Sequence, residues 1–360
     1  MEGNPRNPSP APGNYEVCIL GSGPAGLAVV ARLIEKGRDV LVLERPAAQR
    51  PWGGESFTGA IRAPLQALGF WDAFTRAGHT VGFERQSAWG GEPRADSSIF
   101  QPLGPQWHVD RERFDQDLHS AVQQRANVFL SYRRLRSVTK VSGTWRLELD
   151  GDDISGGDER STVECSAKYL VDATGRARLL ARRLGARVVC HDRLIGLTAA
   201  VSRHLPERDS SDVEIRAMML EAREFGWWYA APTPKGHIVA LFTDPDLASK
   251  DIRRQFRVVA ANSVFTHPQA GEGWMPVGDA CASHDPLCGW GVHRALDNGI
   301  RLADAIDRFL SDGSSAWLGE FHDHCERQYQ AYLKGLSERY ALERRWPSAP
   351  FWKRRQPMAA

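Results

Sequence analysis

The sequence predicts an α/β fold built on a parallel sheet, and three observations predict it. Residues 15–20, 24–36 and 39–44 read as a strand, an Ala/Leu-rich helix and a second strand, with a run of glycines at the first turn. Towards the other end, residues 274–292 repeat that grammar: a short apolar run ends in Gly278-Asp279, and a glycine-punctuated stretch leads into a helix. Between the two, residues 195–201, 212–220, 226–232 and 237–242 read as strands of an antiparallel sheet.

Residues 1–13, rich in Pro, Asn and Gly, read as a disordered tail, and order begins at Tyr15. A glycine-rich loop at 52–59 precedes an expected helix at 61–77, and 85–104 reads as short strands and turns. Residues 111–125 form an amphipathic helix with Asp110 as N-cap. Strands are expected at 128–140, 144–149 and 166–172, with a polar hairpin tip at 151–159. Helix dominates from 291 to about residue 341, and the Arg, Trp and Pro residues of 344–355 are expected to pack back on the body.

Composition narrows the function classes. A 360-residue chain with 42% hydrophobic residues is long enough for a large core in more than one unit. The formal net charge is only +2, with Lys and Arg scattered among Asp and Glu, so neither nucleic acid nor an anionic membrane is an expected partner. No stretch reaches the roughly 18 to 20 apolar residues of a membrane span, and the first residues lack a secretory apolar core; a cytoplasmic location is expected. The six cysteines include no CxxC pair, which fits reduced thiols. The string His322, Asp323, His324, Cys325 resembles a metal site only on paper. Residues i and i+2 of a helix point apart, and no metal is expected there.

The strongest chemical motif is Gly21-Ser22-Gly23-Pro24-Ala25-Gly26, placed directly after a strand and opening a helix. Gly21 permits the tight turn, Gly23 lets the backbone approach a pyrophosphate, Gly26 lets helix and sheet close up, and the helix N-terminus meets the phosphate charge. Glu44, 18 residues beyond Gly26 at the end of the next strand, is the acid expected to hold ribose hydroxyls, with Arg45 beside it. This is a Rossmann-type dinucleotide-binding unit.

The far motif separates the cofactors. Trp274-Met275-Pro276-Val277-Gly278-Asp279-Ala280, followed by Asp285-Pro286-Leu287-Cys288-Gly289-Trp290-Gly291-Val292, resembles the flavoprotein monooxygenase superfamily of p-hydroxybenzoate hydroxylase-like fold. The resemblance implies FAD. Asp279 would hold the ribityl chain, and Pro286, Gly289, Gly291 and Val292 would bring a helix N-terminus to the flavin ring, where reduced flavin carries negative charge. Val109-Asp110-Arg111-Glu112-Arg113 resembles the family helix whose arginine approaches FAD: Arg111 here, with Arg113 as the alternative. Tyr169-Leu170-Val171-Asp172-Ala173-Thr174-Gly175-Arg176 resembles the segment that precedes the substrate part.

Trp52-Gly53-Gly54-Glu55-Ser56 and Gly226-Trp227-Trp228-Tyr229 sharpen the resemblance to the tryptophan-halogenase-like branch, and the match extends to Arg345-Trp346-Pro347 and residues 350–355. That branch includes flavoproteins that oxidise peptidyl tryptophan during quinone-cofactor maturation. The resemblance implies a discontinuous FAD-binding domain (14–80, 105–190 and 271–310), an inserted antiparallel-sheet substrate domain (81–104 and 191–270) and a C-terminal helical region (311–360).

Halogenases of this branch carry a substrate-side lysine after the Gly-Gly-Glu-like segment, whereas this chain has no lysine from 37 to 139. Hydroxylation of an aromatic substrate, including tryptophan in a peptide or carrier-bound precursor, is therefore expected through a flavin C4a-hydroperoxide in a water-excluding pocket. The alternatives are a flavin halogenase with an unconventional amine, a flavin-dependent reductase or dehydrogenase, and a scaffold that binds flavin without turnover. Reducing equivalents come either from NAD(P)H or from a partner flavin reductase. Acid–base candidates are Glu55, His79, His284 and His293. Trp227, Tyr229 and His284 are expected at the substrate, although alternation leaves one residue of the Trp-Trp-Tyr run for the core. Cys288 reads as a small buried residue rather than a flavin thioether.

Overall fold

The structure, a computed structural model, describes residues 13–44, 54–98, 102–123, 125, 128–150, 162–202, 217–267 and 273–356. Arg45, residues 52 and 53, residues 1–12 of the expected tail 1–13, the hairpin tip 151–159 and the strand start 212–216 lie outside the described residues.

The first sheet has seven strands, and its centre is the β-α-β unit. Val128–Ser131, Val40–Leu43, Asn14–Leu20 and Thr162–Asp172 run parallel in that order, and Trp274–Pro276 continues the parallel run beside the C-terminal end of Thr162–Asp172. Thr144–Asp150 and Leu135–Val141 join antiparallel along the other half of that strand. The residues expected as one strand over 128–140 thus form two strands on opposite sides of the sheet. Strand period decides which side each residue serves. Val17 and Ile19 face the helices Pro24–Glu35 and Gly291–Asp312, whereas Cys18 and Leu20 face Trp145, Leu147 and Leu180.

The two helices pack closely because Gly299 faces Ala28: a Cβ on Gly299 would stand 2.6 Å from the Ala28 methyl. The helix expected over 61–77 is broken into Arg62–Ala67 and Trp71–Arg76, since Gly69 takes a left-handed φ of 73° between them.

A second seven-stranded sheet runs in the order Arg257–Ala260, Ile195–Ser202, Gly236–Thr243, Gly226–Thr233, Met218–Arg223, Glu84–Ala88, Arg94–Ser97. It is antiparallel except at one joint. Met218–Arg223 pairs parallel with Glu84–Ala88, a strand that arrives from far earlier in the chain. Two three-stranded sheets flank it: Gly54–Phe57, Gln106–Asp110 and Thr80–Gly82, and Arg187–Cys190, Val264–His267 and Ala282–Ser283.

The helix Ala316–Ala341 and the C-terminal turn Pro350–Lys353 close the back of the molecule, with Phe351 and Trp352 fully buried against Trp227 and Tyr340. Among the described residues no helix is long and apolar enough to cross a membrane.

Candidate functional site

Both helix N-termini implicated by the sequence open onto one cavity of about 510 Å³ between the two large sheets. Gly23, Pro24 and Ala25 line it from one side; Asp279, Pro286, Gly289, Gly291 and Val292 line it from another. The two segments also touch, because a Cβ on Gly278 would come within 2.6 Å of the Ala25 methyl.

The glycine loop separates packing from ligand space. A Cβ on Gly26 would stand 2.1 Å from the Gly21 carbonyl oxygen, and one on Gly21 would stand 2.5 Å from that of Ala173. A Cβ on Gly23 would meet nothing within 4 Å. The space above Gly23 is therefore open, at the start of a helix whose N-cap makes no side-chain hydrogen bond and whose first turn holds no acid. The same holds for the first turn of Gly291–Asp312. These two unpartnered, acid-free helix starts fit the pyrophosphate and the ring edge of FAD. Glu44 stands at the strand end beyond the cavity, where Ser22 donates to one carboxylate oxygen and His119 Nε2 lies 2.7 Å from the other.

The remaining candidates divide by their surroundings. The Arg111 guanidinium is 2.8 Å from Glu55 and 3.0 Å from Asp115; burial opposes its charge, but the two carboxylates outweigh that and raise its pKa. Glu55 thus meets a cation rather than an apolar wall. Asp279 lies 3.5 Å from Arg176, which also donates to the carbonyls of Asn262 and His284. His293 lines the cavity with its buried Nδ1 unpartnered, and burial lowers its pKa. His284 lines it as well, set edge-on to the Tyr332 ring; burial and two arginines hold its pKa well below the ordinary value.

Trp227 and Tyr229 share the cavity face of their strand, and Trp228 packs on the opposite face against Leu197 and Leu241. Trp227 is nonetheless almost fully buried, stacked 4.1 Å from Phe242. Tyr229 donates to Ser56 Oγ, whose partner is His108, and burial pushes the phenol up to about 12.

His79 is placed elsewhere: it packs on Phe74 and near Phe114, among residues around a separate small void, with both ring nitrogens unpartnered. Sequence reasoning did not single out Arg176 or Asp285 for the cavity. Asp285 caps the turn Pro286–Cys288 and is buried to 1% exposure, and burial pushes its carboxyl up to about 6. The Asp-Pro start of a glycine-rich turn was the one local signal available.

The model of the FAD-binding domain family matches residues 14–236. The chain belongs to the FAD-binding domain family. It is an FAD-dependent oxidoreductase, and among its relatives LodB of Marinomonas mediterranea, named as an FAD-dependent oxidoreductase, is 25% identical over 96% of this chain and 98% of its own length. The myxobacterial chondrochloren halogenase CndH shares the fold at a TM-score of 0.83, with 20% identity over 97% of this flavoprotein and 87% of its own chain. The peptidyl tryptophan dihydroxylase QhpG superposes at 0.69, with 21% identity over 96% and 80%. These relatives match the halogenase-like FAD monooxygenases that the sequence resembles.

Proposed function

We propose that this flavoprotein is a monooxygenase that hydroxylates an electron-rich aromatic ring, with a tryptophan held in a peptide or on a carrier as the favoured substrate. The observation that carries the reading is the composition of the cavity wall. Its sheet side is built from Trp227, Tyr229, Ile238, Ala240, Phe242 and Val259, and no lysine lines it among the described residues. An apolar wall with a phenol in it suits a planar aromatic ring and excludes water from it. An amine able to carry an oxidised halogen, which halogenation in this branch requires, has no counterpart in the lining among the described residues.

Bound FAD, once reduced, supplies the activation of oxygen. The chain's own residues do the rest. Gly23 and the helix start at Pro24 would hold the phosphates, Asp279 and Arg176 the ribityl chain, and the start of Gly291–Asp312 the flavin ring. His293, which lines the cavity and whose pKa burial lowers, would accept the proton that the aromatic substrate loses. Residues 81–104 and 191–270 form the substrate part, and NAD(P)H or a partner flavin reductase supplies the electrons.

The test is to reduce the holoprotein without oxygen, then admit oxygen with tryptophan compounds or tryptophan-containing peptides, with and without bromide. A product heavier by one oxygen and indifferent to bromide supports the reading. A brominated product moves the protein to the halogenases, and oxygen-independent turnover with an acceptor makes it a reductase.

A further inference from the structure

His267, His322 and Glu326 lie together at a place no part of the flavin site uses. His267 ends the strand Val264–His267, and two residues before it, on the same strand face, Phe265 packs against the ring of Tyr329 at 5.0 Å. His322, Glu326 and Tyr329 stand at i, i+4 and i+7 on the helix Ala316–Ala341, which is one helix face. Strand period and helix period thus converge, and they bring one donor atom of each of the three residues within 4.8 Å of one another. Of the string 322–325, in which no metal was expected, only His322 belongs to the cluster: it is joined by a residue one turn on and by a strand more than fifty residues earlier.

We propose that His267, His322 and Glu326 bind a divalent ion of the zinc class. Two imidazole nitrogens and one carboxylate oxygen are a donor set for zinc, nickel or copper rather than calcium or magnesium. At metal–ligand distances of about 2.0 to 2.2 Å the donors of a tetrahedral site stand roughly 3.4 Å apart. His322 Nε2 and Glu326 Oε2 are already 3.9 Å apart, so side-chain rotations close the site.

Both helix ligands are reachable, with side chains 24% and 42% exposed, which gives the ion a path in and leaves room for water to complete the coordination. Arg187, the cross-strand partner of His267, is a nearby cation that weakens the hold on the ion. The ion would clip the helix to the sheet. That helix also carries Tyr332 and Tyr340, whose hydroxyls bond Asp285 in the cavity wall, so the clip stiffens the wall from behind.

The test uses tag-free holoprotein stripped with a chelator and titrated with zinc(II) by calorimetry, with bound metal counted by mass spectrometry after dialysis. One zinc per chain is expected, together with a rise in the thermal midpoint. His267→Ala and His322→Ala should each weaken binding about tenfold or more, and Glu326→Gln less. His324→Ala should leave it unchanged, since that side chain points off the face. The milder His267→Asn and His322→Gln, with flavin absorbance as the check on folding, read the same loss if the alanine variants do not fold. Absence of stoichiometric zinc, or binding that survives both histidine replacements, overturns the proposal.

Discussion

The Tyr340 hydroxyl donates a 2.6 Å hydrogen bond to the buried Asp285 carboxylate and accepts one of 3.1 Å from Trp227 Nε1. One phenol therefore joins the C-terminal helix, the flavin-facing turn and the substrate strand. Burial pushes the Asp285 carboxyl up to about 6, against the pull of Tyr340 and of the Leu287 N–H.

The sign of the resulting pH dependence follows. The folded pKa lies above the unfolded value of 3.8, so the stabilising contribution is complete below about pH 4 and is lost as pH rises through about 6. The loss amounts to roughly 3 kcal/mol at neutral pH. Asp285→Asn removes it. Denaturant unfolding of both proteins between about pH 4 and pH 7 should show the asparagine variant gaining stability relative to wild type as pH rises. Parallel curves would sink the assignment.

Tyr340→Phe leaves both the Trp227 N–H and the Asp285 carboxyl short of a partner in a buried place. The expected cost is about 2 kcal/mol, read as a lower denaturant midpoint. The carboxyl also loses a bond that favours its charged form, so its titration should move further up. An unchanged pH profile in this variant would show that Tyr340 is packing alone.

Gly23→Ala and Gly26→Ala should part company. With no atom beyond its chain neighbours within 4 Å of the added methyl, Gly23→Ala is expected to unfold like the wild type yet retain much less FAD, a loss of about tenfold or more in affinity. Gly26→Ala drives its methyl to 2.1 Å from the Gly21 oxygen and should lower both stability and flavin content. Flavin absorbance of the purified proteins, set beside their unfolding midpoints, makes the comparison.

What the sequence disclosed follows the range of the forces involved. The turn from Gly21 to Gly26 is specified by contacts within a few residues of itself and with one neighbouring strand, so spacing alone revealed it. The alternation of Trp227, Trp228 and Tyr229 is equally local, and it divided cavity face from back face. Arg176 and Asp285 gain their roles from partners such as Asn262 and Tyr340, far away in the chain, and no spacing rule reports those. His79 shows the converse. It has the right chemistry, but Phe74 and Phe114 decide where its ring lies.

An ion-pair clasp ties the segment around Trp352 to the second sheet. Asp244 accepts hydrogen bonds from Arg354 at 2.8 Å and Arg355 at 2.5 Å, and Arg355 has only 8% of its side chain exposed. Burial disfavours the Asp244 charge, but the two guanidinium groups outweigh it and hold the carboxyl below its ordinary value. Its contribution is therefore present above about pH 4 and is lost as pH falls through the depressed pKa, the reverse of Asp285. Asp244→Asn leaves the buried Arg355 without its counter-charge and should cost about 3 kcal/mol. Replacing both residues with apolar ones, Asp244→Leu with Arg355→Met, should recover part of that loss, because neither charge then needs to be desolvated. Trp352, fully buried with its Nε1 donating to the Arg223 carbonyl, is what the clasp holds in place; Trp352→Ala should cost about 3 to 5 kcal/mol. If the double variant proves no more stable than Asp244→Asn, the ion pair is not what fastens the C-terminus, and packing around Trp352 carries the clasp alone.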